Sequence, residues 1–240
     1  MKAFAVVGFK DSGKTTLAEK LVGILASRGY RVAAVKHAHS GLNLQGDSAR
    51  LFAAGAERVV ALSENASEVI AGSLSLEEAL AALRAYDFVV VEGFKERFPG
   101  VRVAVARSRE ELEKLQSPLL VAAYSAAELG GASVPVFKPG EEERLADLLT
   151  EKAFEPPAGL NCGFCGFSSC IEFARAVAKG EVSPSGCRVL ASRVKLVVDG
   201  KAVELNPFVQ DVIRNVVRAL VSTLKGVGER PGRVELVLID

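Results

Sequence analysis

The chain has no surplus of either charge: 30 basic and 29 acidic side chains in 240 residues leave a formal net charge of +1. That balance removes the general electrostatic pull a nucleic-acid partner would exploit, so any basic patch would have to be local. No apolar stretch is long enough to span a bilayer, which needs about 20 residues, so no membrane partner is expected. The apolar run from Ala3 to Val7 is short and passes straight into a glycine, which reads as a buried strand and not as a signal peptide. Cysteine is scarce, with four in the chain, all between residues 162 and 187. Without an export signal the expected location is the reducing cytoplasm, where clustered cysteines serve as metal ligands in preference to disulfides. Internal repeats and low-complexity tracts are missing too. What is present, 49% hydrophobic and 25% charged residues, can bury a core and keep a polar surface. The length suits one main domain with a smaller appendage.

Along the chain, short β-branched runs alternate with stretches of helical period, the pattern of a mostly parallel sheet with flanking crossover helices. Strands are expected at Ala3–Val7, Arg31–Val35, Arg58–Leu62, Phe88–Val91, Val101–Ala106 and Leu119–Ala123. Helices are expected at Thr15–Arg28, Asp47–Ala54, Leu76–Ala85 and Glu141–Lys152. Pro156, Pro157 and Gly159 then break the pattern. The chain therefore divides into residues 1–155, an α/β domain, residues 156–190, a cysteine module, and residues 191–240, a ββαβ tail. In the tail, Val194–Val198 and Ala202–Leu205 read as a hairpin about Asp199-Gly200. A helix follows from Pro207 to about Lys225, its apolar face carrying Val209, Val212, Ile213, Val216, Val217, Leu220 and Leu224 and leaving Gln210, Arg214 and Arg218 opposite. Val234–Ile239 reads as a closing strand. This tail could pack on the cysteine module or form a dimer interface.

The strongest chemical signal is Gly8-Phe9-Lys10-Asp11-Ser12-Gly13-Lys14-Thr15, a P-loop pattern with the strand before it and the helix after it that the pattern requires. The glycines let backbone N–H groups turn inward around a phosphate, and the helix N-terminus adds partial positive charge. Lys14 is placed to reach the β- and γ-phosphates, and the Thr15 hydroxyl to ligate Mg²⁺. The expected ligand is a purine nucleoside triphosphate held by Gly8, Asp11, Ser12, Gly13, Lys14, Thr15 and Thr16. Asp11 and Ser12 also read as turn formers that bond their own backbone. Such a loop needs an acid at the end of a neighbouring strand for the metal's water shell, and Phe88-Val89-Val90-Val91 ends in Glu92. Asp47 is the other acid placed to approach a γ-phosphate or its metal, or else an ordinary helix N-cap. Lys36, His37 and His39 follow the second strand at the carboxyl edge, where ligands bind in open α/β sheets. For the histidines a solvated or hydrogen-bonded role is the plainer reading.

These residues resemble those of the molybdopterin-guanine dinucleotide biosynthesis protein B family, MobB, over about residues 3 to 150. The resemblance rests on the P-loop through Thr16, on Val35-Lys36-His37-Ala38-His39, on Gly46-Asp47-Ser48-Ala49-Arg50 with Ala54-Gly55-Ala56, and on Val90-Val91-Glu92-Gly93-Phe94-Lys95. It implies a protein that binds GTP, hydrolyses it weakly and forms homodimers. It further implies a MobA-type guanylyltransferase as partner, in attaching GMP to molybdopterin, together with molybdopterin-bearing proteins. The mature cofactor carries molybdenum or tungsten. Lys14, Asp47 and Glu92 are then the catalytic candidates. Ala38-His39-Ser40 departs from the more histidine-rich form of the family. The Asn-Lys-x-Asp motif of ordinary GTPases is absent, so guanine is implied by the resemblance alone.

In the second module the ligand candidates are Cys162, Cys165, Cys170 and Cys187. Four thiolates suit tetrahedral zinc or a [4Fe–4S] cluster. Three clustered ligands with a fourth returning alone favour the cluster, because structural zinc sites usually pair two closely spaced knuckles. The segment resembles the four-cysteine iron–sulfur domain of the RnfB electron-transfer subunit and of the corrinoid iron–sulfur protein. It shares Cys162-Gly163-Phe164-Cys165-Gly166, Cys170, Glu172-Phe173-Ala174, Gly180-Glu181 and Cys187. Phe164 and Phe167 are placed to shield a cluster from water. A reading of a different class is a nucleotide-controlled iron–sulfur carrier or redox-sensing ATPase.

Overall fold

The computed structural model describes residues 1–38, 41–191, 194–199, 201–228 and 232–238. Strand β1, Lys2–Gly8, is buried from Ala3 to Val7 and lies at the centre of a six-stranded sheet. Helix α1, Lys14–Ser27, crosses to β2, Val32–Lys36, on the sheet's edge. After α2, Gly46–Ala53, the chain leaves the sheet to form an antiparallel hairpin of β3, Arg58–Leu62, and β4, Ser67–Ala71. It returns through α3, Leu76–Ala82, to β5, Phe88–Glu92, between β2 and β1. Strand β6, Val101–Val105, lies on the other side of β1, followed by α4, Arg109–Lys114, and β7, Leu120–Tyr124. Strand β8, Val136–Phe137, completes the order β2-β5-β1-β6-β7-β8, and α5 spans Glu142–Lys152. Every pairing in this sheet is parallel.

Period-two alternation divides the sheet into two apolar faces. Phe4, Val6, Val90, Val101 and Val103 pack with Leu17, Leu21 and Leu25 of α1 and with Leu145 and Leu149 of α5. Ala3, Ala5, Val7, Val89, Val91 and Ala104 face Leu76 and Leu80 of α3 and Leu112 of α4. The central strands are apolar on both faces, which is why they read as continuous hydrophobic runs.

The cysteine segment is part of the first of these cores. The chain enters it at the amino end of β1, where the Ala3 N–H donates to the Phe154 carbonyl at 3.0 Å. Helix α6, Cys170–Ala178, then lays Phe173, Ala174 and Val177 into the same cluster as Phe4 and Leu17, joined by Cys187 and Val189. Ser169 caps this helix by accepting the Glu172 N–H. The tail forms a hairpin of β9, Leu196–Val198, and β10, Lys201–Val203, and then α7, Pro207–Ser222. Glu204 ties it to the turn after α3 by an ion pair with Arg84 at 2.9 Å.

Three expectations are corrected. Arg58–Leu62 is a strand, but it pairs only with β4, outside the parallel sheet, because Ser63 closes a tight turn onto Ala66 and returns the chain at once. Strands β4 and β8 and helix α4 were not legible, being short segments without a period of their own. Val234–Leu238 has no regular structure, and Ile239 lies outside the described residues. Helix α7 is rotated from its expected orientation: Gln210 is buried and donates to the Leu205 carbonyl at 2.7 Å, while Val212, Val216 and Leu220 face outward. A single good hydrogen bond for a buried amide outweighs hydrophobic periodicity here.

Candidate functional site

Beyond the end of β1 the backbone makes the turn that the glycine spacing calls for. Asp11 and Gly13 hold positive φ, 57° and 92°, and the N–H of Ser12 donates to the Phe9 carbonyl at 3.3 Å. Gly8 is required for close approach: a Cβ there would stand 2.5 Å from Ser12 Oγ and 2.6 Å from the Val105 carbonyl. Lys14 Nζ folds back to donate to the Phe9 carbonyl at 2.5 Å. Ser12 Oγ is buried and finds no partner among the described residues, an orphaned donor inside a glycine-turned loop. Such an arrangement fits an anionic ligand at the start of α1.

Glu92 ends β5, beside β1 and at the same edge. The Thr15 hydroxyl donates to Glu92 Oε1 at 2.9 Å, so the two oxygens named as metal ligands already meet. Hard oxygen donors of this kind suit Mg²⁺. Lys36, at the end of β2, closes a triangle with them, its ammonium 3.1 Å from Thr15 Oγ1 and 3.0 Å from Glu92 Oε2. Gly93 follows with φ 96°, and a Cβ there would come within 2.9 Å of His37 Cβ. That contact explains why glycine stands after the acid. His37 stacks on Phe94 with centroids 4.5 Å apart.

Arg102 steadies the loop after Glu92. Its guanidinium, buried beneath the sheet edge, donates to the carbonyls of Lys95 and, at 2.8 Å, Phe98. Burial, with Arg175 nearby, pushes its pKa down to about 10. Lys95 in turn lies over the Phe9 ring, 5.5 Å from its centroid, joining this loop to the P-loop. A lone arginine in the apolar run Val101–Val105 was the sequence signal that reasoning missed.

Not every candidate joins the cluster. Thr16 is exposed on α1. Asp47 lies within the first turn of α2, whose N-cap is Gln45, and its carboxylate pairs with Arg50 at 3.2 Å. Its reading as an N-cap is therefore displaced by two residues. His39 lies outside the described residues.

The four cysteines are brought to one pocket, lined also by Pro157, Leu160, Phe164, Phe167, Arg188 and Val189. Cys187 is buried, and burial pushes the Cys170 thiol up, with Cys187 and Cys162 adding to the effect. Asn161, in left-handed backbone at φ 47°, donates its N–H to Cys170 Sγ at 3.4 Å, and its side-chain oxygen accepts the Cys170 N–H at 2.8 Å. Among the described residues no three His, Cys, Asp or Glu side chains converge as ligands of one metal ion. A single zinc requires thiolates drawn to about 2.3 Å of one point, whereas a cubane holds its ligands around a larger body. Four thiols around one apolar pocket, with an amide donating to sulfur, form a donor set of the soft kind that such groups take. Phe167 packs edge-on against Phe173 at 5.7 Å, while Phe164 lines the pocket and stays exposed.

Comparison with known proteins finds a family model over each of the two regions. Residues 3–126 match the family model of Molybdopterin guanine dinucleotide synthesis protein B. The chain belongs to the MobB family. Beyond the MobB domain, residues 158–189 match a family model described, provisionally, as an Fe-S cluster. A Methanocaldococcus jannaschii protein, provisionally named a molybdopterin-guanine dinucleotide biosynthesis adapter protein, is 32% identical over 95% of this chain and 93% of its own length. The Haemophilus influenzae molybdopterin-guanine dinucleotide biosynthesis adapter protein is 32% identical over 38% of this chain and 56% of its own. Among solved structures, a MobB protein homolog from Bacillus stearothermophilus is 28% identical, with a TM-score of 0.50 over 62% of this chain and 95% of that one. Bacillus subtilis MobB, 24% identical, shares the fold with a TM-score of 0.56 over 64% of this chain and 99% of that one. This chain is thus a MobB-type protein of molybdenum cofactor biosynthesis with an Fe-S family domain appended. No helix among the described residues is long and apolar enough to cross a membrane.

Proposed function

We propose that this chain binds GTP with Mg²⁺ and serves as an adapter to a MobA-type guanylyltransferase, in the attachment of GMP to molybdopterin for a molybdenum or tungsten cofactor. The observation that carries this reading is the meeting of Thr15 and Glu92 at 2.9 Å beside a glycine-turned loop at the start of α1. Gly8, Asp11, Ser12, Gly13, Lys14 and Thr15 cradle the phosphates, with Thr16 following on α1. Lys14 supplies charge to them, and Thr15 and Glu92 hold the metal. Hydrolysis is weak at most, the chain serving mainly as an accessory nucleotide-binding protein. Asp47, paired with Arg50 on α2, would act only if α2 approached the phosphates.

The same proposal assigns a [4Fe–4S] cluster to Cys162, Cys165, Cys170 and Cys187, in a reducing cytoplasm that keeps the thiols available. Residues 1–155 form the nucleotide domain, 156–190 the cluster module and 191–240 the tail. Homodimerisation is supported by the apolar surface the β3–β4 hairpin leaves uncovered at Val60, Leu62 and Val69. A second reading, a cluster carrier or redox sensor driven by ATP, draws on the core shared by α1 and α6, which would link nucleotide state to the cluster.

Anaerobic purification tests both sites in one preparation. The proposal expects iron and sulfide near four each per chain, little zinc, a broad charge-transfer absorption and tighter binding of GTP than of ATP. Zinc without sulfide, or a preference for ATP, would contradict the corresponding half.

A further inference from the structure

Lys36 is an ammonium standing between the two oxygens proposed to hold a divalent cation. It is 3.0 Å from Glu92 Oε2 and 3.1 Å from Thr15 Oγ1, on a side chain that is 57% exposed and so free to move along its flexible stem. Its backbone is fixed: Lys36 pairs with Glu92 in the β2–β5 register, and the next residue, His37, donates its N–H to the Glu92 carbonyl at 3.0 Å. Strand β2 therefore delivers this cation to the phosphate edge as firmly as β5 delivers the acid. The position also solves an electrostatic problem. Glu92 is a carboxylate 2.9 Å from a hydroxyl at the mouth of a phosphate cradle, and with no cation beside it, it would repel the terminal phosphate of any nucleotide.

We infer that Lys36 is a second phosphate-binding cation of this site, which neutralises Glu92 when no divalent ion is bound and pairs with the terminal phosphate when one is. The inference rests on the nucleotide-binding reading above and extends it. A metal ion and an ammonium cannot share the space between Thr15 and Glu92. On metal binding the Lys36 head must therefore move to another anion, and a triphosphate offers one that a diphosphate lacks. Lys36 thus makes nucleotide binding less dependent on the metal and favours GTP over GDP. Lys14 cannot substitute for it, since Lys14 belongs to the loop on the other side of Thr15 and donates to the Phe9 carbonyl.

The test is equilibrium binding of GTP and GDP to the full chain, with Mg²⁺ and with EDTA, for wild type, Lys36→Met and Lys36→Arg. Melting temperature is recorded for each, to verify that the exposed substitution leaves the fold intact. Wild type is expected to keep measurable GTP affinity in EDTA. Lys36→Met is expected to lose about tenfold or more of that metal-free affinity, and a similar factor of its GTP-over-GDP preference in Mg²⁺, as for a lost charge-assisted contact. Lys36→Arg should restore most of both. A Lys36→Met variant that matches wild type in all four dissociation constants overturns this inference alone. A folded wild type that takes up no nucleotide in Mg²⁺ overturns the nucleotide-binding reading and this inference with it.

Discussion

The nucleotide end and the cysteine end of the molecule are built by different means. At the P-loop, backbone conformation does the work: Gly8 admits a contact no side chain could, Asp11 and Gly13 take left-handed φ, and Thr15, Glu92 and Lys36 already touch within 3.1 Å. At the cysteine pocket the chain only gathers its thiols. They line one cavity, but no three of the described ligand-type residues converge on a point. Backbone amides are obliged to point somewhere and can be aimed by glycine, whereas thiols around an apolar pocket gain their final geometry from what they bind. The first site is fixed by backbone turns, and the second gathers side chains around one pocket.

The sharpest way to break this contrast is to damage each end separately. Gly8→Ala forces a Cβ against Ser12 and the Val105 carbonyl, and should weaken nucleotide binding by about a hundredfold or more while iron content is unchanged. Cys170→Ser should do the reverse, losing or converting the cluster with nucleotide affinity within about threefold of wild type. Iron analysis and calorimetry on both variants check the pair. A large effect of either change at the other site would show the two ends to be coupled.

The next effect concerns the core that both ends share. Phe173 is 2% exposed, packs against Phe167, and belongs to the same cluster as Phe4 and Leu17. Phe173→Ala should destabilise the whole chain by about 3–5 kcal/mol, seen as one denaturation transition moved as a unit. Two separated transitions, with only the iron-dependent one moved, would mean that the cysteine module folds by itself.

The smallest predicted effect is a pH dependence confined to the nucleotide domain. The Lys20 ammonium at 2.5 Å, and then the Tyr124 hydroxyl at 2.6 Å, hold the Glu142 carboxyl down at about 2. The folded value lies below the unfolded one of about 4.3, so this contribution is complete above the unfolded value and is lost as pH falls toward 2. Melting temperatures between pH 5 and 2 should fall less steeply in Lys20→Met than in wild type. Equal slopes would remove Glu142 from the acid-sensitive groups.

What could be read from the sequence follows the same division. The P-loop, Glu92 and the central strands were legible because their chemistry is local: a strand, a glycine turn and a helix follow one another within a short stretch. The gathering of the four cysteines in one pocket was legible from their closeness in the chain. Lys36 in contact with Glu92 was not legible, because β2 and β5 are distant in sequence and adjacent only in the sheet, whereas Arg102, seven residues from Lys95, was hidden in the apolar run around it. The face of α7 was misread: Gln210 is buried and bonds the Leu205 carbonyl five residues before it, a local contact that hydrophobic period does not encode. Arg58–Leu62 was read as a strand correctly and given the wrong neighbours, since β-branched composition says nothing of whom a strand pairs with.

The central claim is that a triphosphate is held at the carboxyl end of β1 by turned amides and one lysine. Titration calorimetry of GTP with Mg²⁺ into anaerobically purified wild type and Lys14→Ala tests it most directly. The account predicts saturable uptake of one nucleotide per chain by the wild type, and none measurable by a variant that melts at the same temperature. A folded wild type without uptake, or a Lys14→Ala protein that binds as tightly, would contradict it.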